Sequence, residues 1–364
     1  MKEKISIPFL AGAKYENKIY FSSLYINGLF KYDCKTYKCE LIKIFDEKKL
    51  ASILHRKAVI YGDEIWFMPW EAKKIAKYNI TQNKIYYYEI PCTINELLYI
   101  DLVSKNNKTY FIPYKFNTPI AIINGNTSNL KFMDGITVNE DNILRKIVGA
   151  GVVKNNLLVV LQDGSVIENK DGNWEKILKK KDCNKNSQFE YLTLVDNDTS
   201  MWLCPFEENN VVEIDKIHRK VKKYIDVKDE KYSYGIVINS GIVMFPTEKN
   251  RNFLILNENN IMYKHIDFNI NDDLYLEISY IGNSCKDSIL ISSNQGNVCE
   301  YDLEWNLINK YNIEMNRKEY MEQFVNKLHI DDLKKDYTAL ESDYYDFKMF
   351  LGIISKKENL YEQD

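Results

Sequence analysis

The chain has 364 residues, 45% hydrophobic and 28% charged, with a formal net charge of −3. That balance fits a globular protein with a sizeable core, and it offers no basic face for nucleic acid. No window is long and apolar enough to span a bilayer. The seven cysteines, an odd number without a Cys-x-x-Cys pair, argue against a disulfide framework or a zinc knuckle. Free thiols in a reducing cytosol, and hence a cytoplasmic location, are the expectation.

Residues 1–13 carry Lys2, Lys4 and a cleavage-like Ala11-Gly12-Ala13, but the apolar run is short for a signal peptide and contains Pro8. A strand near Ile7 is the expectation instead. From there a segment recurs. Ile19-Tyr20-Phe21-Ser22-Ser23 is followed by Ile65-Trp66-Phe67-Met68-Pro69, Thr109-Tyr110-Phe111-Ile112-Pro113 and Leu158-Val159-Val160-Leu161-Gln162. Met201-Trp202-Leu203-Cys204-Pro205, Ile242-Val243-Met244-Phe245-Pro246 and Ile289-Leu290-Ile291-Ser292-Ser293 complete the series. The copies lie roughly 41 to 49 residues apart, the spacing of propeller blades. Proline cannot donate to a ladder, so Pro69, Pro113, Pro205 and Pro246 mark strand ends.

Two further columns frame the first. About ten residues downstream of the Pro position, strands end in an apolar residue plus Asp or Asn: Tyr32-Asp33, Tyr78-Asn79, Ile123-Asn124, Ile214-Asp215, Leu256-Asn257 and Tyr301-Asp302, with a weaker Glu168-Asn169. Such side chains bond the backbone that follows and start turns. Upstream, turn residues such as Glu16-Asn17, Gly62-Asp63 and Asn106-Asn107 close a hairpin from an inner strand. The prediction is all-β: a seven-bladed β-propeller over residues 1–313 with a C-terminal helical tail over 314–364. Each blade has four strands, a to d, and the last blade supplies its own fourth strand. The endings Tyr32-Asp33 and Tyr301-Asp302 make the chain resemble β-propeller repeat proteins of the kelch and YncE-like type, across residues 1–313. The kelch glycine doublet and the Gly-His…Trp-Asp pairing of WD40 repeats are absent. The resemblance therefore implies an architecture and no single function.

In the tail, residues 315–328 are amphipathic. Leu333, Tyr337, Leu340, Tyr344, Phe347, Leu351 and Ile354 then form a heptad stripe, suited to packing on the propeller or to docking or dimerisation.

Chemistry is expected where the b–c loops and the starts of strands a share one face. The loops read Pro69-Trp70-Glu71, Pro113-Tyr114-Lys115, Pro205-Phe206-Glu207 and Pro246-Thr247-Glu248. The strand starts offer His55 and Arg56, Glu96, Arg145 and Lys146, Gln188 and Glu190, Tyr232 and Tyr234, and Tyr275 and Glu277. Aromatic rings among carboxylates suit sugars or peptides, although a column copied in several blades also serves the fold. The four histidines fall in unrelated repeat positions, so no metal site is expected. No glycine pattern for nucleotides occurs, so no cofactor is expected. The expected function is a non-catalytic binding or scaffold propeller recognising a protein partner or a glycan-bearing ligand. The alternative is a hydrolase or lyase acting on a carbohydrate or small metabolite through mouth carboxylates.

Overall fold

The chain folds as an all-β seven-bladed propeller, with one helix, C-terminal to the blades, among the described residues. This computed structural model describes residues 3–47, 53–92, 97–136, 146–178, 191–205, 210–227, 232–239, 241–246, 252–257, 261–265, 281–282, 288–293 and 295–327. Blades one to six are each a four-stranded antiparallel meander; strands b end where the repeat placed them at Ser23, Pro69, Pro113, Pro205 and Pro246, and in blade four at Leu161, one residue before the expected Gln162. Strands c stop at or beside the Asx column. There Asp33 Oδ1 accepts from the Lys35 and Thr36 amides, both at 2.9 Å, and Asp215 Oδ1 from Ile217 and His218, both at 2.9 Å. Asn79 and Asn124 do the same for Gln82 and Asn126, at 2.7 and 3.0 Å. The a–b turns use left-handed residues, Glu16 (φ 54°), Gly62 (59°), and Asn106 and Asn107 (52° and 57°), as a two-residue hairpin of primed type requires.

The blades divide into two compact units. The first holds the chain's beginning and end. Blade one is Phe9–Tyr15, Lys18–Ser23, Leu29–Asp33 and Lys38–Lys43; blade two is His55–Tyr61, Glu64–Pro69, Lys74–Asn79 and Lys84–Glu89. Blade seven shows strands Ser288–Ser292, Asn297–Asp302 and Leu307–Asn312, the last being its own outer strand as expected. The two residues Ile281–Gly282 pair in parallel with the inner edge of blade two. Strand a of blade one starts at Phe9 rather than near Ile7. The preceding Lys4–Ser6 instead pairs antiparallel with Glu314–Asn316, Ile5 opposite Met315. This two-stranded clasp ties the chain's first residues to the segment after blade seven, and the Ile7 amide bonds the Ile313 carbonyl at 2.9 Å.

Blades seven and one meet through a buried carboxylate. Glu300, on strand c of blade seven, forms an ion pair with Lys14 of blade one and accepts from Ser288 Oγ (2.7 Å), Tyr311 OH (2.7 Å) and Asn309 Nδ2 (3.2 Å). Burial alone would raise this carboxyl; the four donors outweigh it and bring it down to about 2. An unfolded Glu titrates near 4.3, at roughly the value of a model peptide. The native state thus gains stability that is complete above the unfolded pKa and lost as pH falls through about 2. The variant Glu300→Gln is expected to flatten the fall of urea-unfolding free energy over that acid window. Parallel curves for wild type and variant would show that Glu300 contributes nothing there.

The helix Arg317–Lys327 follows the clasp directly. Asn316 Oδ1 caps it, accepting from the Lys318 and Glu319 amides at 3.0 and 3.3 Å; Glu319 lies in its first turn and Lys327 in its last, both favourable to the dipole. Its buried face is Tyr320, Met321, Phe324 and Val325, in one core cluster with Phe30 and Leu41 of blade one. Gln323 Oε1 also accepts from the Leu41 amide at 2.8 Å, satisfying a donor on the outer strand of that blade. The heptad stripe from Leu333 to Ile354 lies outside the described residues.

The second unit contains blade three (Tyr99–Lys105, Lys108–Pro113, Ile120–Asn124, Asn129–Met133) and blade four (Ile147–Val153, Asn156–Leu161, Val166–Lys170, Asn173–Leu178). Blade five (Tyr191–Asp196, Ser200–Pro205, Asn210–Asp215, Lys220–Asp226) and blade six (Tyr232–Ile238, Gly241–Pro246, Asn252–Leu256, Ile261–His265) complete it. Blades four and five are joined by buried charge. Glu168, fully buried on strand c of blade four, takes a bidentate pair from Arg219 in the c–d turn of blade five, both contacts 2.7 Å. At the a–b end, Lys216 bonds Asp196 Oδ1 at 2.6 Å and the Val152 carbonyl at 3.0 Å. Gly151 makes this possible, since a Cβ there would stand 2.5 Å from Asp196 Oδ1. Burial pushes the Asp196 carboxyl up to about 6 despite Lys216.

Five cysteines are described. All are free thiols, with Cys39, Cys204 and Cys299 buried. Burial pushes the Cys39 and Cys34 thiols up, Cys34 to about 11, which makes both poor nucleophiles. Cys183 and Cys285 lie outside the described residues.

Candidate functional site

The face expected to carry chemistry is built by one backbone device repeated in blade after blade. The residue after strand b donates its amide to the carbonyl just before strand a: Leu24 to Pro8 (2.8 Å), Trp70 to Leu54 (2.8 Å), Tyr114 to Leu98 (2.9 Å) and Gln162 to Lys146 (2.9 Å). The repeated column is therefore a fold element in its backbone, while its side chains vary from Leu to Trp, Tyr and Gln.

Beside this bond, the a–b ladder of every blade from one to six shifts register between the first and third residues of strand a. The bulge leaves one residue unpaired and re-aims its side chain. In blade two that residue is Arg56, whose guanidinium carbon stands 4.4 Å from the centroid of the Trp70 ring. In the second unit the Lys146 ammonium lies 5.4 Å from the Tyr114 ring. Trp70, Glu71, Tyr114, Arg56 and Lys146 are half-buried and Lys115 is exposed.

The bulge also overturns one expectation. His55 is the residue before it, in a column with Phe9, Tyr99, Ile147, Tyr191 and Tyr232, all of them buried. Its ring packs 4.6 Å from Phe45 and 5.3 Å from Phe67, and Nδ1 meets Ser22 Oγ at 2.9 Å. Burial pushes its pKa down to about 3, so it is neutral and structural, not a mouth residue. Tyr232, fully buried in the same column, is likewise core. Phe206, Glu207, Thr247, Glu248, Arg145, Glu190, Gln188, Glu96, Tyr275 and Glu277 lie outside the described residues, as does the side chain of Tyr234.

Two residues that the sequence reading passed over organise the loops of the first unit. Asn27, in the b–c loop of blade one, bonds both the amide and the carbonyl of Phe45, at 3.0 and 3.1 Å. Glu47 Oε1 accepts from the Lys73 amide, in the b–c loop of blade two, at 3.0 Å. Burial raises the Glu47 carboxyl. Asn27-Gly28 is a turn dipeptide and could have flagged the first; nothing local marks Glu47, whose partner is 26 residues away.

No protein-family model matches the chain, and no curated protein matches it in sequence. Solved structures do match. Virginiamycin B lyase from Staphylococcus aureus is similar at TM-score 0.58 and 12% identity, covering 81% of this chain and 96% of that one. A streptogramin B lyase aligns at TM-score 0.54 and 14% identity, over 85% and 97% of the two chains. A chain of the mitotic checkpoint complex aligns at TM-score 0.54 and 8% identity, over 86% and 91%. At these identities the likeness is one of fold alone, shared by a lyase and by a member of a protein assembly.

Proposed function

We propose that this protein is a non-catalytic binding propeller, of kelch- or YncE-like type, that recognises a protein partner or a glycan-bearing ligand. The recognition face is the one carrying the b–c loops and the starts of strands a. The observation that carries this reading is the Arg56–Trp70 pair: a half-buried tryptophan, fixed by its own backbone bond to Leu54, with a guanidinium over its ring. Rigid aromatic–cation pairs of this kind are typical binding hot spots, because the ring offers area at low entropic cost and the cation adds direction. The same reading takes in Glu71, next to Trp70 in sequence; in the second unit it applies separately to Tyr114 with Lys146 and to Lys115, and on sequence grounds to Phe206, Glu207 and Glu248. A cytoplasmic setting fits the free thiols and remains part of the proposal.

The test is a glycan array together with affinity capture from cytosolic extract, run on wild type and on Trp70→Ala. The variant is expected to lose about thirty-fold in affinity for whatever wild type retains, equivalent to about 2 kcal/mol, with an unchanged melting temperature. A Trp70→Ala protein that melts far below wild type would make the indole a packing element and remove the basis of this reading. Turnover of a retained ligand would move the protein to the enzyme class.

A further inference from the structure

The second unit contains a cleft of about 710 Å³ between blades five and six, at the end of the blades that carries the a–b turns. It lies away from the strand-a starts discussed above. Its walls are Trp202, Glu213, Lys222 and Lys223 from blade five and Val237, Ile242 and Leu256 from blade six, with the amides of Asn197, Asn239 and Asn257 at its rim. Pockets of this size hold a mono- or disaccharide.

The cleft has a cause in the repeat. Strands c of blades four, five and seven each carry a buried Glu at one register position, Glu168 opposite Leu158, Glu213 opposite Trp202 and Glu300 opposite Leu290. At two of the three, the next blade in the chain or ring supplies a cation that fills the gap: Arg219 to Glu168, and Lys14 to Glu300. Lys14 sits opposite Ile19 in its a–b ladder; the matching residue of blade six is Val237, opposite Ile242. Valine is too short and has no charge to offer. Glu213 is neutralised from within its own blade by Lys222 at 2.7 Å and Ser200 Oγ at 2.8 Å, and the space that a long cation would take stays open, with Val237 40% exposed.

Charge and polarity on the walls then select a ligand. Glu213 is matched by Lys222, and Asp198 by Lys105 at 3.4 Å, which leaves Lys223 as the lining cation without an ion partner among the described residues. Trp202 lines the wall with 7% of its surface exposed, while its indole N–H is enclosed, like those of Trp66 and Trp305, so the residue offers the cleft ring surface rather than a donor. An aromatic and aliphatic lining suits the apolar face of a pyranose, the rim amides suit hydroxyls, and Lys223 suits a carboxylate. We propose that this cleft is a binding site for a carboxylated saccharide, a uronic acid or a short oligouronate. It is independent of the face bearing Trp70.

Isothermal titration of the full chain with digalacturonic acid tests this, against the dimethyl ester of the same disaccharide. Three variants accompany wild type. Lys223→Met is expected to weaken binding about tenfold, the weight of one charge-assisted hydrogen bond, and the ester to lose as much on wild type. Val237→Lys, which rebuilds toward Glu213 the contact Lys14 makes with Glu300, is expected to close the cleft and abolish binding without lowering the melting temperature. Trp70→Ala is expected to bind like wild type. Absence of heat with wild type overturns the proposal. So does binding that survives both Lys223→Met and Val237→Lys, or that Trp70→Ala alone removes. Should Val237→Lys melt early, the Lys223→Met and ester arms decide by themselves.

Discussion

Replacing Arg219 by Met is expected to destabilise the propeller by about 3 kcal/mol, the lower end of what breaking a buried ion pair costs. Glu168 is fully buried, and its two oxygens are held by the Arg219 guanidinium at 2.7 Å, with Asn156 Nδ2 also 2.7 Å from Oε1. Removing the guanidinium leaves a carboxylate with one neutral donor and a distant Lys170 at 4.0 Å. The lower end applies because Arg219 is 39% exposed, so water repays part of its loss. The double variant Glu168→Met with Arg219→Met removes the stranded charge and is expected to recover most of the stability. Urea unfolding of the three proteins measures the cycle. The pH dependence has a definite sign. The hydrogen bonds from Arg219 lead the causes that hold the Glu168 carboxyl below its ordinary value. Its contribution is therefore present above the ordinary carboxylate pKa and lost as pH falls through the lowered one. The gap between wild type and Arg219→Met should narrow on acidification. A loss under about 1 kcal/mol at neutral pH would mean that the pair behaves as an exposed surface bridge.

Phe324→Ala is expected to cost about 3–5 kcal/mol, the usual range for emptying a fully buried aromatic site. Phe324 has no exposed surface, and its ring centroid lies 5.9 Å from that of Tyr320, which in turn stacks 6.4 Å from Phe30 of blade one. Loosening the helix also uncovers the Leu41 amide on the outer strand of that blade, since Gln323 leaves with it. An unpaired strand edge beside apolar surface invites association. The expected readouts are an early melt and larger particles in light scattering on warming, while the mass at low temperature stays that of wild type. The exposed Lys318→Ala serves as control, with a change within about 0.5 kcal/mol. If Phe324→Ala melts with wild type, the helix is an appendage and its packing is dispensable.

The sequence by itself determined the blades. The recurring apolar strand, the Pro that ends strand b and the Asx residue that ends strand c act within a few residues of themselves, so a linear reading finds them; Asp33 and Asp215 bond amides two and three positions on. Aromatic loop residues were legible for the same reason: Trp70 and Tyr114 follow directly from the Pro column. Tertiary structure decided everything that depends on what the next blade brings. The bulge in strand a separates His55, turned into the core, from Arg56, turned onto Trp70, although the two are adjacent and both polar. Nothing local marks Glu168, Glu213 and Glu300 as buried. They are buried because partners 51, 9 and 286 residues away satisfy them. The clasp of Lys4–Ser6 on Glu314–Asn316 joins segments more than three hundred residues apart, and only propeller closure makes them neighbours. The cleft beside Glu213 exists because Val237 stands where blade one has a lysine, a difference without meaning until the register of two ladders aligns the positions.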